Sequence, residues 1–279
     1  MSSLIKFARH WIAGETSGEA IKIAKKKNQE GFGVIINYLG EHIIDKIEAL
    51  RNAEENIQLL DTIHQEKVYV SISIKLSQLG LLIDKDLCRS NVEKIVSNAT
   101  SKYIFVWIDM ENSPFTDDTI DIYLDILHKY GNSGIAIQAN LKRSENDVKR
   151  ITGEGGNIRL VKGAYSEQKD IAFSKRSDIT KNFSMLMGYL FYKSAFFAIA
   201  SHDELLINEA IEVNKTHKRR IEFQMLMGVR DELKHELVSK GFNVVDYIPY
   251  GTAWIPYTVR RLKERKRNIL LVLRSLFDI

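Results

Sequence analysis

Residues 103–110 read YIFVWIDM, six consecutive apolar residues followed by an aspartate and a methionine. A strand covered on both faces has this composition because neither face meets water, and such strands belong to parallel sheets. Working outward, short apolar runs recur on both sides. Before it lie GFGVIINYLGE (31–41) and VYVSISIK (68–75). The second alternates, with Ser71, Ser73 and Lys75 on one face and Val70, Ile72 and Ile74 on the other. After it come GIAIQAN (134–140), NIRLVKGAY (157–165), FFAIASH (196–202), IEFQMLMG (221–228) and FNVVDYIPYG (242–251). Helical patterns fill the intervals, at roughly 41–65, 85–100, 116–130 and 144–152, from the end of the fifth run to about 194, at 203–216, and once more before the last run.

Eight strands, each followed by a helix, specify a parallel sheet in the α/β class. Eight such units in 279 residues favour a closed (β/α)8 barrel of the TIM type. The alternative is an open doubly wound sheet, but no G-x-G-x-x-G follows the first strand. GEGGN (153–157) precedes a strand instead of following one and reads as a loop. Residues 1–30, roughly, read as extra helices ahead of the barrel, with Ala20, Ile23 and Ala24 on an apolar face. No Pro/Gly/Ser-rich linker interrupts 1–279, so one domain is expected.

Composition narrows the function classes. Apolar content of 44% and charged content of 27% are those of a globular protein. A net charge of +4 is too weak to argue for an anionic partner. Cys88 is the only cysteine, which excludes an internal disulfide and a cysteine-based zinc site; no metal is expected, and a reducing cytoplasm fits. MSSLIKFARHWIAG lacks the apolar core of a signal peptide, and no run approaches a membrane span. Six basic residues fall between Arg260 and Arg267, but Glu264 interrupts them, so a solvated helix face is expected and no nucleic-acid partner.

The chemistry concentrates at strand C-termini. Glu41, Lys75, Asp109, Gln138, Arg159, Lys162, His202, Gln224 and Tyr247 lie there or just beyond. In a barrel these ends converge on the functional face. After the last strand, Pro249 and Gly251 break the chain, Thr252 is a candidate cap, and Pro256 fits only a first helical turn. Tyr257, Arg260, Arg261 and Glu264 then follow at helical spacing. Two adjacent guanidiniums at a strand end suit a small carboxylate, since each offers a planar fork of donors.

YIPYGTAWIPYTVRRLKE (247–264) resembles the C-terminal signature of the FAD-dependent proline dehydrogenases, and IRLVKGAY (158–165) is nearly as specific. WIAGE, NYLGE, SIKLSQLG, WIDME, IQANLKR, ASHD and FQMLMGV come in that family's order, so the resemblance spans nearly the whole chain. It is to the monofunctional form, since no aldehyde-dehydrogenase domain follows. It implies oxidation of L-proline to Δ1-pyrroline-5-carboxylate by hydride transfer to FAD, with a quinone taking the electrons, the first step of proline degradation to glutamate. By resemblance, Met110, Gln138, Val161, Lys162, Gly163, Ala164, Ser201, His202 and Glu264 contact FAD, and Arg159 lies near the flavin N5. Lys75, Arg260 and Arg261 would take the carboxylate. Asp109 would orient Lys75 or the amine, and Tyr165, Leu226, Tyr247 and Tyr257 would wall the ring. Glu41 would pair with Arg260 as a gate. Where the family commonly has ATHN, this chain has Ala200, Ser201, His202 and Asp203, which replaces an amide with a negative charge.

Two other readings stay open on the residues alone. Lys75 or Lys162 at a strand end could form a Schiff base, as in aldolase-type barrels. The run Ile269–Leu273 with Leu276 and Phe277, after Arg265–Arg267, could make a peripheral contact with the inner face of a membrane, where a quinone would be found, although packing against the barrel competes with it.

Overall fold

The computed structural model describes residue 5 and residues 8–263. A helix, α1 (Ser17–Gln29), leads into β1 (Gly33–Tyr38), α2 (Lys46–Gln65), β2 (Ser71–Ile74), α3 (Lys85–Ser101) and β3 (Val106–Ile108). Next come α4 (Thr116–Tyr130), β4 (Ser133–Gln138), α5 (Ser144–Gly153), β5 (Asn157–Val161) and α6 (Arg176–Lys193). The chain continues through β6 (Phe197–Ala200), α7 (Glu204–His217), β7 (Glu222–Leu226), α8 (Asp231–Ser239), β8 (Asn243–Tyr250) and α9 (Trp254–Lys263). Each strand pairs in parallel with its sequence neighbours, and β8 closes on β1 from Gly33↔Val245 to Tyr38↔Tyr250. The open doubly wound alternative is thereby excluded.

Side-chain alternation divides the strands between two environments. Ile72, Ile74, Val106, Ile108, Ile158 and Leu160 point outward and are fully buried under the helices. The opposite face points into the barrel. Near its lower end Phe105, Trp107 and Phe196 close the interior, with ring centroids 5.0–6.1 Å apart. Gly134, level with Trp107 on β4, leaves room for the indole; a Cβ there would lie 2.4 Å from the ring. Toward the upper end the inward positions turn polar, which explains why VYVSISIK alternates at all.

Helix starts follow local chemistry. Thr16 and Glu19 form a capping box on α1, and Asp45, Asp84 and Asp203 cap α2, α3 and α7. Three expectations are corrected here. The second helix begins at Lys46 and not at residue 41, because His42 has φ +59° and Asp45 accepts from the Glu48 N–H. Residues 41–45 are therefore a loop. The fifth strand ends at Val161, and the chain stays irregular until Arg176, bound back to the β4 loop through Lys142 N–H to Ile171 O (2.9 Å) and Phe173 N–H to Asn140 O (2.8 Å). Thr252 lies two residues before α9, so it is not at the capping position; Pro256 does fall in the first turn.

Candidate active site

Asp109 is the floor of the site. Its N–H continues the β2–β3 ladder by donating to Ile74 O at 2.9 Å, which sets Asp109 level with Lys75. Its Oδ1 accepts from Ser73 Oγ (2.7 Å) and Arg159 Nη1 (2.5 Å); its Oδ2 accepts from Lys75 Nζ and from the Tyr247 hydroxyl (2.8 Å). Strands β2, β3, β5 and β8 thus meet on one carboxylate. Burial alone would raise its pKa, but the charges of Lys75 and Arg159 and the hydrogen bonds outweigh burial and hold it well below the usual range. Burial likewise pulls Lys75 down, and Asp109, with smaller contributions from Tyr247, Tyr165 and Glu41, carries it well above an ordinary lysine. The Arg159 guanidinium lies 4.6 Å over the Trp107 ring and 5.6 Å over that of Tyr247. Its Nε and Nη2 are buried with no hydrogen-bond partner among the described residues.

The roof comes from α9 and the β1 loop. Helical spacing turns Tyr257, Arg260 and Arg261 onto the cavity together. Arg260 grips Glu41 with two nitrogens, Nη1 to Oε2 at 2.9 Å and Nη2 to Oε1 at 2.7 Å. Burial opposes the charge on Glu41, but the Arg260 hydrogen bond and the Lys75 charge keep its pKa low. Arg260 also lies 5.8 Å over Tyr165, and Arg261 5.3 Å over Tyr257. Burial pushes the Tyr165 and Tyr247 phenols up, so both stay protonated.

The cavity, about 1030 Å³, reaches sideways over β4–β6 to Met110, Gln138, the segment Val161–Ala164, Ser201 and His202. That exceeds what one small acid fills and lies at the upper end of ordinary ligand pockets, roughly 300–1,000 Å³. Gly163 has φ +106°, and a Cβ on it would lie 2.1 Å from Asn140 Oδ1, itself buried with no partner among the described residues. The backbone is bare here, as close approach by a planar ligand requires. Gln138 Nε2 donates to Glu111 O at 2.8 Å, and His202 Nε2 accepts from the Leu226 N–H at 2.8 Å. Lys162 Nζ donates to Asp203 Oδ2 at 2.5 Å and to Thr180 Oγ1 at 3.2 Å. The aspartate at the position of the usual asparagine thus caps α7 and neutralises the lysine beside it.

The structure brings together every site residue expected from the sequence except Glu264, which lies outside the described residues, as does the apolar run after Arg267. Sequence reasoning assigned no role to Trp107 or Glu111. Trp107 sits two residues before Asp109 on the same strand face, a period-two signal that could have found it. The Schiff-base reading is not favoured. Lys75 stays an ammonium against Asp109, and an ammonium is no nucleophile; Lys162 is engaged by Asp203.

Comparison with known proteins gives the family and the fold. A family model described as proline dehydrogenase matches residues 20–270. Proline dehydrogenase 2 of Bacillus subtilis is 34% identical over 285 residues, 98% of this chain and 94% of that protein. The proline dehydrogenase of Deinococcus radiodurans is 30% identical over 277 residues, 96% of this chain and 89% of its own. Among solved structures, proline utilization A (PutA) from Bdellovibrio bacteriovorus superposes with a TM-score of 0.87 at 23% identity. That match covers 93% of this chain and 32% of that one, so this chain corresponds to about a third of that protein, and the likeness is one of fold.

Proposed function

This chain belongs to the proline dehydrogenase family, and from that premise we propose that it oxidises L-proline to Δ1-pyrroline-5-carboxylate with FAD as its flavin and a quinone as the final electron acceptor. The observation that carries the reading is the Lys75–Asp109–Arg159–Tyr247 cluster facing Arg260 and Arg261 across one cavity. A small amino acid with one carboxylate fits between them. Arg260 spends two nitrogens on Glu41, and a guanidinium offers five N–H donors, so donors remain for a substrate carboxylate. Lys75 adds a second fixed positive charge. Tyr165, Leu226, Tyr247 and Tyr257 supply the apolar walls that a saturated ring needs.

The sideways extension of the cavity fits a flavin dinucleotide. Val161–Ala164 give bare backbone, Gln138 and Met110 line the floor, and Ser201 and His202 line the far wall. Bound there, the flavin would supply a two-electron acceptor for the hydride leaving proline C5. Arg159 carries two buried nitrogens, Nε and Nη2, with no acceptor among the described residues, and it is fixed in place by Asp109 and Trp107. Preorganised donors of this kind stabilise negative charge as it develops, without reorganising at the moment of reaction. Asp109 holds Arg159, Lys75 and Tyr247 in register. Glu41 and Arg260 would close over bound proline and exclude water.

No helix among the described residues is long and apolar enough to cross a membrane. Work in the cytoplasm, with reoxidation at the inner membrane face, is part of the same proposal, as is the reading of 1–279 as one barrel domain. The test is an absorbance spectrum of the purified protein before and after anaerobic addition of proline. Bleaching of a visible flavin band is expected. A protein that is colourless and cannot be reconstituted with FAD, or a band that proline leaves unchanged, refutes the reading.

A further inference from the structure

Glu111 plays no part in the reaction proposed above, yet it is a carboxylate only 1% exposed. Burying such a group is unfavourable unless donors meet it. Both of its oxygens go to one residue. Oε1 accepts the Ser77 N–H at 3.0 Å, and Oε2 accepts the Ser77 hydroxyl. Ser77 in turn holds the corner that follows Glu41. Its Oγ accepts from the His42 N–H at 2.9 Å, and its carbonyl accepts from the Ile43 N–H at 3.0 Å. His42 sits at φ +59°, a conformation that a residue with a Cβ keeps only where its surroundings hold it. Its ring also lies 6.2 Å from that of Phe115, in the loop that Glu111 begins.

That loop has a second tie. Ser113 donates its N–H and its hydroxyl to Glu167, at 2.8 Å and 2.6 Å. Glu167 is two residues past Tyr165, whose ring lies under Arg260, and Arg260 grips Glu41. The contacts return to where they began. They run from Glu41 through His42 and Ser77 to Glu111, on through Ser113 and Glu167 to Tyr165, and back through Arg260.

We propose that the loops after β1, β2, β3 and β5 form one collar around the substrate end of the mouth, and that Glu111 is the positioning residue that presents Glu41 to Arg260 through Ser77. The proposal rests on reading Glu41 and Arg260 as the gate. In a closed ring of hydrogen bonds, short chain segments and the Arg260–Tyr165 cation–π contact, no loop swings without breaking a contact of its neighbour. The buried carboxyl sharpens this, because moving Ser77 away would leave both of its oxygens without the residue that meets them, in a place where burial already holds its pKa above the usual carboxylate value. Glu111 acts at a distance from proline and touches neither substrate nor flavin.

The test is a double-mutant cycle read in proline turnover, flavin content and amide exchange. Glu111→Gln keeps an oxygen for the Ser77 N–H but sets an amide donor against the hydroxyl that should donate. Turnover is expected to fall several-fold, to the level of Glu41→Ala, with flavin content unchanged and faster exchange at the His42 and Ile43 amides. Combining the two substitutions is expected to cause no further loss, since both release the same gate. A purely local packing defect would instead multiply with Glu41→Ala, and that result overturns the proposal. Normal turnover in Glu111→Gln beside slow turnover in Glu41→Ala overturns the collar and leaves the gate; normal turnover in both overturns both. If Glu111→Gln does not fold, the half-exposed Glu167→Gln carries the same cycle, with the same outcomes.

Discussion

Asp109→Asn tests the floor of the site most sharply. The substitution keeps the shape and removes the charge on which Lys75 and Arg159 both converge, each of them less than a tenth exposed. Removing one partner of a buried ion pair costs about 3–5 kcal/mol because the remaining charge stays buried without compensation. For a domain somewhat under this size, each kcal/mol shifts Tm by roughly 2–4 °C, so thermal unfolding is expected roughly 6–20 °C lower. The pH dependence adds a signature. In the parent protein Asp109 has a lowered pKa, so its contribution is present above the unfolded carboxyl value and is lost only in strong acid. Lys75 has a raised pKa, so its contribution is present below the unfolded lysine value and is lost only as pH rises through the still higher folded value. Between roughly pH 6 and 9 the pair is therefore flat. In the Asp109→Asn variant the main charge that held Lys75 up is gone, and burial drives its pKa down. The unfolded chain then binds more protons than the folded one, so the variant should gain stability as pH rises across that window while the parent does not. Differential scanning calorimetry of both flavin-free proteins at several pH values measures this. A Tm within about 2 °C of the parent, less than 1 kcal/mol on the same scale, together with identical pH profiles, would refute the account of the cluster.

Arg260→Met should raise the KM for proline strongly, because losing one partner of a desolvated charge pair costs about 2–5 kcal/mol; an unchanged KM would remove Arg260 from carboxylate binding. Tyr247 places its phenol on Asp109 beside the substrate space, so trans-4-hydroxy-L-proline should be rejected for steric reasons and for an unpaired hydroxyl, by roughly 1–3 kcal/mol. This is about tenfold to a hundredfold in kcat/KM. Tyr247→Ser should narrow the preference by losing proline activity more than hydroxyproline activity, and equal activity of the parent on both would refute the placement. Asp203→Asn should strengthen flavin binding in a fluorescence titration, since it frees Lys162 while asparagine caps α7 as well as aspartate does; weaker binding would show that the Lys162–Asp203 pair itself builds the site.

The barrel was legible in the sequence because its signals are local. Runs such as YIFVWIDM and the alternation of VYVSISIK record how many faces of each strand are covered, and a strand carries that record in its own residues. The residues that line the cavity were legible for a second reason: motifs such as IRLVKGAY and YIPYGTAWIPYTVRRLKE preserve a whole site's spacing. Loop boundaries were not. Residues 41–45 carry a helix-like composition, and the left-handed turn at His42, fixed by Ser77 from another loop, together with the Asp45 cap, keeps the helix from starting there. Nor could spacing reveal that Asp109 gathers four strands onto one carboxylate, that Lys162 is bound by Asp203, or that Glu111 reaches back to the Glu41 corner. Those pairings join residues 34 to 138 positions apart, and barrel closure and strand register alone bring them within hydrogen-bonding distance.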